Sequence, residues 1–202
     1  MHFLLFLKLI EMRCHSCRRV SFSLICNDCR KLYLQPKPYI RKLDNGFEVI
    51  SFYSYQDIEP FLLTKHLPYG WFIYRILAKE SFKCLFKIDS KIFAIPIDDY
   101  LQNNYSHTAI LAKELKNYGF SPLYNSLQAK NRISYSGKPL SFRKSNPRDF
   151  KYRGYGKIDA ILVDDIVATG TTILEAYSTL LKHKVNLLYA FVLADAGRNT
   201  PI

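Results

Sequence analysis

The chain has 202 residues, of which 49% are hydrophobic and 15% aromatic, so it can bury a core, which argues against global disorder. Its 29 lysines and arginines against 17 aspartates and glutamates give a formal net charge of +12, which favours a polyanionic partner: nucleic acid, anionic lipid or a phosphate-rich ligand. The length predicts one ordinary domain with a small accessory module. We expect a flexible extension at residues 1–12, with Met12 as an alternative start, a cysteine module and its linker at 13–42, and the main domain at 43–202.

The N-terminal segment at residues 2–10 is apolar but interrupted by Lys8, and it is too short to span a bilayer. No small-residue cleavage site follows it, so we predict no secretory signal. A cytoplasmic protein is therefore the expectation, and a weak association of this segment with a membrane surface is the alternative.

Four of the five cysteines form two Cys-x-x-Cys pairs with an eight-residue spacer: Cys14, Cys17, Cys26 and Cys29. Four thiolates in two such turns suit a tetrahedral Zn²⁺ ion, and we expect a structural site that folds the module. Two disulfides, which a cytoplasmic setting disfavours, and redox-active dithiols are the alternatives. The fifth cysteine, Cys84, lies in an apolar run and is expected to be a buried small hydrophobe.

From residue 47 onward, segments with strand character alternate with segments of helical spacing. Strands are indicated at 47–55, 91–96, 120–124, 158–163 and 185–194. Helices are indicated within 57–86, with a break around Pro68 to Gly70, and at 105–118 and 171–183. This alternation predicts an α/β fold with a mostly parallel sheet flanked by helices, in which ligands bind at the carboxyl ends of the strands.

The most informative segment is 161–172, which reads ILVDDIVATGTT. An apolar strand is followed by two carboxylates, Asp164 and Asp165, and then by a small, hydroxyl-rich turn before a helix. Such a turn presents backbone N–H groups to a phosphate, while the acids lie where the hydroxyl groups of a sugar would be. The alternative is an ordinary strand–turn–helix joint capped by Thr169 or Thr171.

This segment resembles the phosphoribosyl pyrophosphate (PRPP) signature of type I phosphoribosyltransferases. The resemblance implies that Asp164 and Asp165 hold the ribose 2- and 3-hydroxyl groups and that Mg²⁺ accompanies PRPP. It also implies a loop that binds the 5-phosphate, formed by Ala168, Thr169, Gly170, Thr171 and Thr172.

The same resemblance implies a second loop, after the first core strand, that binds pyrophosphate through backbone N–H groups. Its candidate residues are Ile95, Pro96, Ile97, Asp98 and Asp99. The two acids would repel pyrophosphate unless they face away or meet a metal ion, and Mg²⁺ reconciles carboxylates with phosphates.

The stretch from 130 to 153 is basic and interleaved with aromatic residues. It has three interpretations: a mobile loop that closes over PRPP, a track for a nucleic-acid backbone with aromatic residues stacking on bases, or a solvated surface loop. The cations considered for contacts with DNA or pyrophosphate, together with one from an earlier helix, are Lys65, Arg132, Lys138, Arg143, Lys144 and Arg148.

A four-cysteine module before a PRPP signature resembles the ComF family, and within it the ComFC-like competence proteins, from Met12 onward. Further matching features are the aromatic strand before Lys65, the segment YSHTAILA at 105–112, and a run of Arg132, Arg143, Asn146 and Phe150. The chain departs from the family where Asn103 and Asn104 replace an Arg-Gly pair.

The resemblance implies a role in natural transformation, in which the protein handles incoming single-stranded DNA at the cytoplasmic face of the inner membrane together with other DNA-uptake and processing proteins. Two activities are compatible with a PRPP site. One is transfer of ribose 5-phosphate to an unknown acceptor with release of pyrophosphate. The other is nucleic-acid binding with PRPP as a ligand. Ala168 stands where some phosphoribosyltransferases carry an acid, and alanine cannot act as a base.

Overall fold

The computed structural model describes residues 13–97, 105–131 and 140–198, apart from the side chains of Leu140, Arg143 and Lys144. Its main sheet has six strands in the order β1-β2-β8-β7-β3-β4. These strands are β1 (Tyr39–Lys42), β2 (Glu48–Ser54), β3 (Phe93–Pro96), β4 (Ser121–Pro122), β7 (Asp159–Val167) and β8 (Asn186–Asp195). β1 pairs antiparallel with β2, and every other pair in this sheet is parallel. The predicted mostly parallel α/β fold is therefore confirmed.

Helices surround this sheet, and a second, two-stranded antiparallel sheet lies beside it. The helices are α1 (Asn27–Tyr33), α2 (Tyr55–Leu62), α3 (Gly70–Phe82), α4 (His107–Leu115), α5 (Leu140–Ser145) and α6 (Thr171–Lys182). The small sheet consists of β5 (Leu127–Ala129) and β6 (Phe150–Tyr152). Short 3₁₀ turns extend α2 through Leu63–His66 and α4 through Lys116–Tyr118.

Alternation along β7 divides the core into two layers, since successive side chains of a strand point to opposite faces. Ile161 and Val163 pack in the cluster that contains residues of α3 and α4. Ala160 and Leu162 pack in the cluster that contains residues of α6. The cysteine module adds Cys14, Ile25 and Leu34 to the first layer, so it packs directly onto the main domain.

Three expectations about elements were wrong in detail. The strand indicated at 158–163 runs on to Val167, so both acids of the pair lie within it. The strand indicated at 120–124 is only the two-residue β4. Cys84 is exposed, because α3 ends at Phe82 and the chain then turns along the surface. No helix in the described part of the chain is long and apolar enough to span a lipid bilayer.

Candidate active site

The site begins where β3 stops and β7 continues. Pairing between them ends at Pro96 and Val163, and the N–H of Ile97 closes it by donating to the Val163 carbonyl at 2.8 Å. On its other side β7 stays paired with β8 as far as Val167. The extra residues of β7 therefore line an open step at the carboxyl edge of the sheet, which is where parallel α/β sheets bind ligands.

Asp165 is held by three side chains from other elements. Its Oδ2 accepts hydrogen bonds from Lys65 Nζ at 2.8 Å and from the Tyr74 hydroxyl at 3.1 Å. His107 Nε2 lies 3.6 Å from the same oxygen. Burial alone would raise the pKa of Asp165, but the charges of Lys65 and His107 and these hydrogen bonds outweigh it and hold that pKa well below its usual range.

Asp164 is in the opposite state. It is half-buried, and its Oδ1 accepts the backbone N–H of Asp165 at 2.8 Å. Burial, and then the negative charge of Asp165, raise the pKa of Asp164 well above its usual range. The two adjacent acids are therefore not equivalent: Asp165 is paired with Lys65 and its pKa is lowered, whereas the pKa of Asp164 is raised.

The donor set at this edge suits a divalent cation. One donor atom each from His107, Asp164 and Asp165 lies within 4.8 Å of the others. Mg²⁺ takes one or two carboxylates together with water and phosphate oxygens. Since the buried Asp165 already accepts hydrogen bonds from Lys65 and Tyr74, the half-buried Asp164 is the carboxylate more open to an incoming cation.

The loop after β7 leads into the N-terminus of α6, where the Thr171 N–H makes a long, 3.5 Å hydrogen bond to Thr169 Oγ1. Gly170, with a φ of 82°, turns the chain into α6 and is the N-cap residue, so it has no side chain that could cap the first turn. The Oγ1 atoms of Thr169 and Thr171 lie 2.9 Å apart at the mouth of the loop. The first-turn N–H groups of a helix have no partner within the helix, and together with its dipole they favour a phosphate.

Comparisons with known proteins give likeness of fold. No family model and no curated protein matches the chain. One similar solved structure is an adenine phosphoribosyltransferase, 14% identical over 85% of this chain and 95% of that one, with a TM-score of 0.41. Another is the orotate phosphoribosyltransferase from Aeropyrum pernix, 14% identical over 85% and 82% of the two chains, with a TM-score of 0.40. The hypoxanthine phosphoribosyltransferase of Trypanosoma cruzi is 21% identical over 64% of this chain and 67% of that one, with a TM-score of 0.39. At these scores the assignments below depend on the geometry of the site alone.

The described part of the expected pyrophosphate loop offers few donors. Ile95 is buried in β3, Pro96 has no N–H, and the N–H of Ile97 is already used by Val163. Asp98 and Asp99 lie outside the described residues. Any amides that meet pyrophosphate must therefore come from beyond Ile97.

Of the cations considered from sequence, Lys65 is the one that the structure brings to the acid pair. Arg132 and Lys138 lie outside the described residues, and Arg143 and Lys144 belong to α5. The backbone N–H of Arg148 donates to Glu175 Oε2 at 2.7 Å, which places this residue beside α6.

Two residues of the site were missed by sequence reasoning. Tyr74 lies in a helix whose apolar spacing predicts only core packing, and burial raises its pKa well above the usual value. His107 opens α4 after the N-cap Ser106, whose hydroxyl accepts the N–H of Ala109 at 3.1 Å. A Ser before a helical pattern is a start signal, so the position of His107 at the carboxyl edge was open to inference.

The four cysteines of the N-terminal module converge as expected. Their sulfur atoms lie within 4.8 Å of one another, and all four are free thiols. The Sγ atoms of Cys17 and Cys26 are 3.7 Å apart, close to the roughly 3.8 Å that a tetrahedral Zn²⁺ with bonds of about 2.3 Å requires. A hydrogen bond from the Arg19 backbone lowers the pKa of Cys17 to about 6, whereas burial raises that of Cys29 to about 12. The residues fit a structural Zn²⁺ site.

Proposed function

We propose that the protein binds Mg²⁺–PRPP at the carboxyl edge of β7. The observation that supports this proposal is that Asp164 and the N-terminus of α6 lie close together in sequence, at the carboxyl edge of the sheet. Asp164 would accept hydrogen bonds from ribose hydroxyls, and the loop from Ala168 to Thr172 would bind the 5-phosphate. Bound Mg²⁺ would neutralise the pyrophosphate group and favour its departure.

In this proposal the two acids have different tasks. Asp164 meets the ligand, while Asp165 stays ionised beneath it because Lys65 and Tyr74 hold it in place. A fixed negative charge close to the ribose would stabilise positive charge that develops at the anomeric carbon during transfer. Lys65 would be close enough to the site to meet an oxygen of the ligand when the site is occupied.

If the protein is an enzyme, the reaction is transfer of ribose 5-phosphate. The bond between the anomeric carbon and the pyrophosphate oxygen breaks, and its electron pair leaves with pyrophosphate. A new bond forms between that carbon and a nucleophilic atom of the acceptor, whose proton passes to solvent. Because Ala168 offers no base, the acceptor must be nucleophilic without one.

Calorimetric titration with Mg²⁺–PRPP tests this proposal on the wild type and on Asp164→Asn, which keeps the size of the side chain. Asp159→Asn is a matched control, since Asp159 is an exposed acid at the far end of the same strand. Binding that the first variant loses and the control retains supports the site. A folded wild type that does not bind Mg²⁺–PRPP refutes it, and release of pyrophosphate with any acceptor separates an enzyme from a ligand-binding protein.

Single-stranded DNA is the second partner that we propose, in the ComF-type role of handling incoming DNA during natural transformation. The solvent-facing side of α3 supports it: Trp71 and Phe72 are exposed with their rings 3.5 Å apart, and Arg75 and Lys79 follow on the same side. Aromatic rings stack on unpaired bases while cations meet the phosphate backbone. The net charge of +12 acts in the same direction.

Fluorescence anisotropy with a labelled oligothymidine tests this surface. Arg75→Glu combined with Trp71→Ala should weaken binding and reduce its salt dependence, whereas Lys182→Glu, at the exposed end of α6, should change it little. Equal binding by both variants would contradict the assignment. Placement at the cytoplasmic face of the inner membrane, and cooperation with other DNA-uptake proteins, belong to the same proposal. Cell fractionation and the transformation frequency of a strain carrying Asp164→Asn test those parts.

A further inference from the structure

Arg41 connects the first strand of the sheet to the phosphate loop. From β1, its Nη1 donates to the carbonyl of Ala168 at 2.8 Å and to Asp195 Oδ1 at 2.9 Å. The N–H of Gly197 donates to the same oxygen of Asp195 at 2.7 Å. The Asp195 side chain is 1% exposed and that of Arg41 is 28% exposed, so this pair is largely shielded from water.

The bond to Ala168 fixes the orientation of one peptide group. The carbonyl of Ala168 and the N–H of Thr169 belong to the same planar trans unit, so they point in opposite directions. With the carbonyl turned toward Arg41, the N–H of Thr169 faces the other way. If this peptide rotated, a carbonyl oxygen would replace an N–H in the loop, and it would repel a phosphate.

Leu43, two residues beyond Arg41, supports the same loop at its turn. A Cβ built on Gly170 would lie 2.6 Å from Leu43 Cδ2, so the leucine side chain occupies the space beside this glycine. Leu43 is 6% exposed and belongs to the core layer that packs against α6. The segment from Arg41 to Leu43 therefore contacts the phosphate loop at two points, one polar and one apolar.

We propose that Arg41, held by Asp195, is a positioning residue that keeps the phosphate loop in the conformation that accepts a phosphate monoester. The proposal rests on the proposed PRPP site. Arg41 acts through the backbone of Ala168, and Leu43 restricts the movement of Gly170. The specificity of the loop for a phosphate therefore depends on β1, the edge strand of the main sheet, and on the residues that directly follow it.

Two variants separate positioning from simple attraction of charge. Arg41→Met removes both hydrogen bonds and one positive charge. Asp195→Asn removes a negative charge and weakens the interaction that holds Arg41 in place. Charge attraction alone therefore predicts tighter PRPP binding, whereas positioning predicts weaker PRPP binding. Lys42→Met is the matched control, because the exposed Lys42 is the next residue of β1 and pairs with Glu48 at the surface.

The measurement is the calorimetric Kd for Mg²⁺–PRPP, with Mg²⁺–pyrophosphate as a second ligand that does not need the 5-phosphate loop. We expect Arg41→Met to weaken PRPP binding about tenfold, as for the loss of a charge-assisted hydrogen bond, and Asp195→Asn to weaken it several-fold. Lys42→Met and the affinity for pyrophosphate should stay within about twofold of the wild-type values. Thermal unfolding checks that each variant is folded. If Arg41→Met does not fold, the PRPP affinity of Asp195→Asn alone tests the positioning role.

The outcomes are distinct. Suppose that the wild type binds PRPP. The positioning role is then overturned if Arg41→Met binds PRPP as tightly as the wild type, or if Asp195→Asn binds it more tightly, and the proposed function still stands. A parallel loss of PRPP and pyrophosphate affinity also overturns it, since that result reports general damage to the site. A folded wild type that does not bind PRPP refutes both the positioning role and the proposed function.

Discussion

Replacement of Lys65 by methionine should destabilise the protein measurably, because it leaves the charge of Asp165 buried. The side chain of Asp165 is 8% exposed and that of Lys65 is 25% exposed. Removal of one partner of a buried ion pair costs about 3–5 kcal/mol. Since the Tyr74 hydroxyl still donates to the same oxygen and Lys65 is partly solvated, we expect a loss of about 2–3 kcal/mol, or a melting temperature lower by roughly 4–12 °C.

The pH dependence gives the sign of the effect. In the wild type the depressed pKa of Asp165 contributes stability that is present above its unfolded-state pKa of about 3.9 and is lost as the pH falls through the folded value. Without Lys65 that pKa rises, and the charged form becomes the destabilised one. The deficit of the variant should therefore be largest at neutral pH and should shrink as acid protonates Asp165.

Urea unfolding followed by circular dichroism measures this deficit. Lys130→Met is the matched control, since Lys130 pairs with Asp149 at 2.9 Å and both side chains are more than half exposed. The control should lose less than about 1 kcal/mol. Addition of Asp165→Asn to Lys65→Met should recover most of the stability. The reasoning is wrong if Lys65→Met is as stable as the control, or if the double variant recovers nothing.

Three further outcomes are expected. The affinity of the wild type for Mg²⁺–PRPP should rise with pH, because the raised pKa of Asp164 means that binding displaces a proton; calorimetry at several pH values checks this. Zinc removal by a chelator should lower the melting temperature. In competition titrations the affinity for zinc should decrease as the pH is lowered, because Cys29, with a pKa of about 12, must lose its proton to bind the ion. Gly170→Ala should lower the free energy of unfolding, measured in urea, by about 1 kcal/mol because of the positive φ at this position. The added methyl group would also clash with Leu43, and combining the variant with Leu43→Ala should relieve that clash.

The place of the acid pair at the carboxyl edge of the sheet could be predicted from sequence, but the different environments of the two acids could not. A buried strand followed by Asp164, Asp165 and a Thr-Gly turn places these groups at a sheet edge through local rules alone. The asymmetry between the acids depends on Lys65 and Tyr74, which lie 100 and 91 residues before Asp165. Strand and helix patterns carry no information about such pairs.

Element boundaries failed where a neighbouring strand or the end of a helix decided them. The strand that holds Asp164 extends to Val167 because β8 continues beside it after β3 has ended. Cys84 is exposed because α3 ends at Phe82, so the apolar run that follows no longer faces the core.

The two ends of the main sheet also bear on aggregation. β4 has only two residues, and Pro122 has no N–H to offer a further strand. At the other end, β1 carries Arg41 and Lys42, and the Arg198 guanidinium lies 5.2 Å from the centre of the Tyr39 ring. Charged, very short and proline-containing edges resist edge-to-edge pairing. Within the described residues, the sheet is therefore poorly suited to recruiting a strand from another chain, which protects a strongly β-forming core from fibre-like growth.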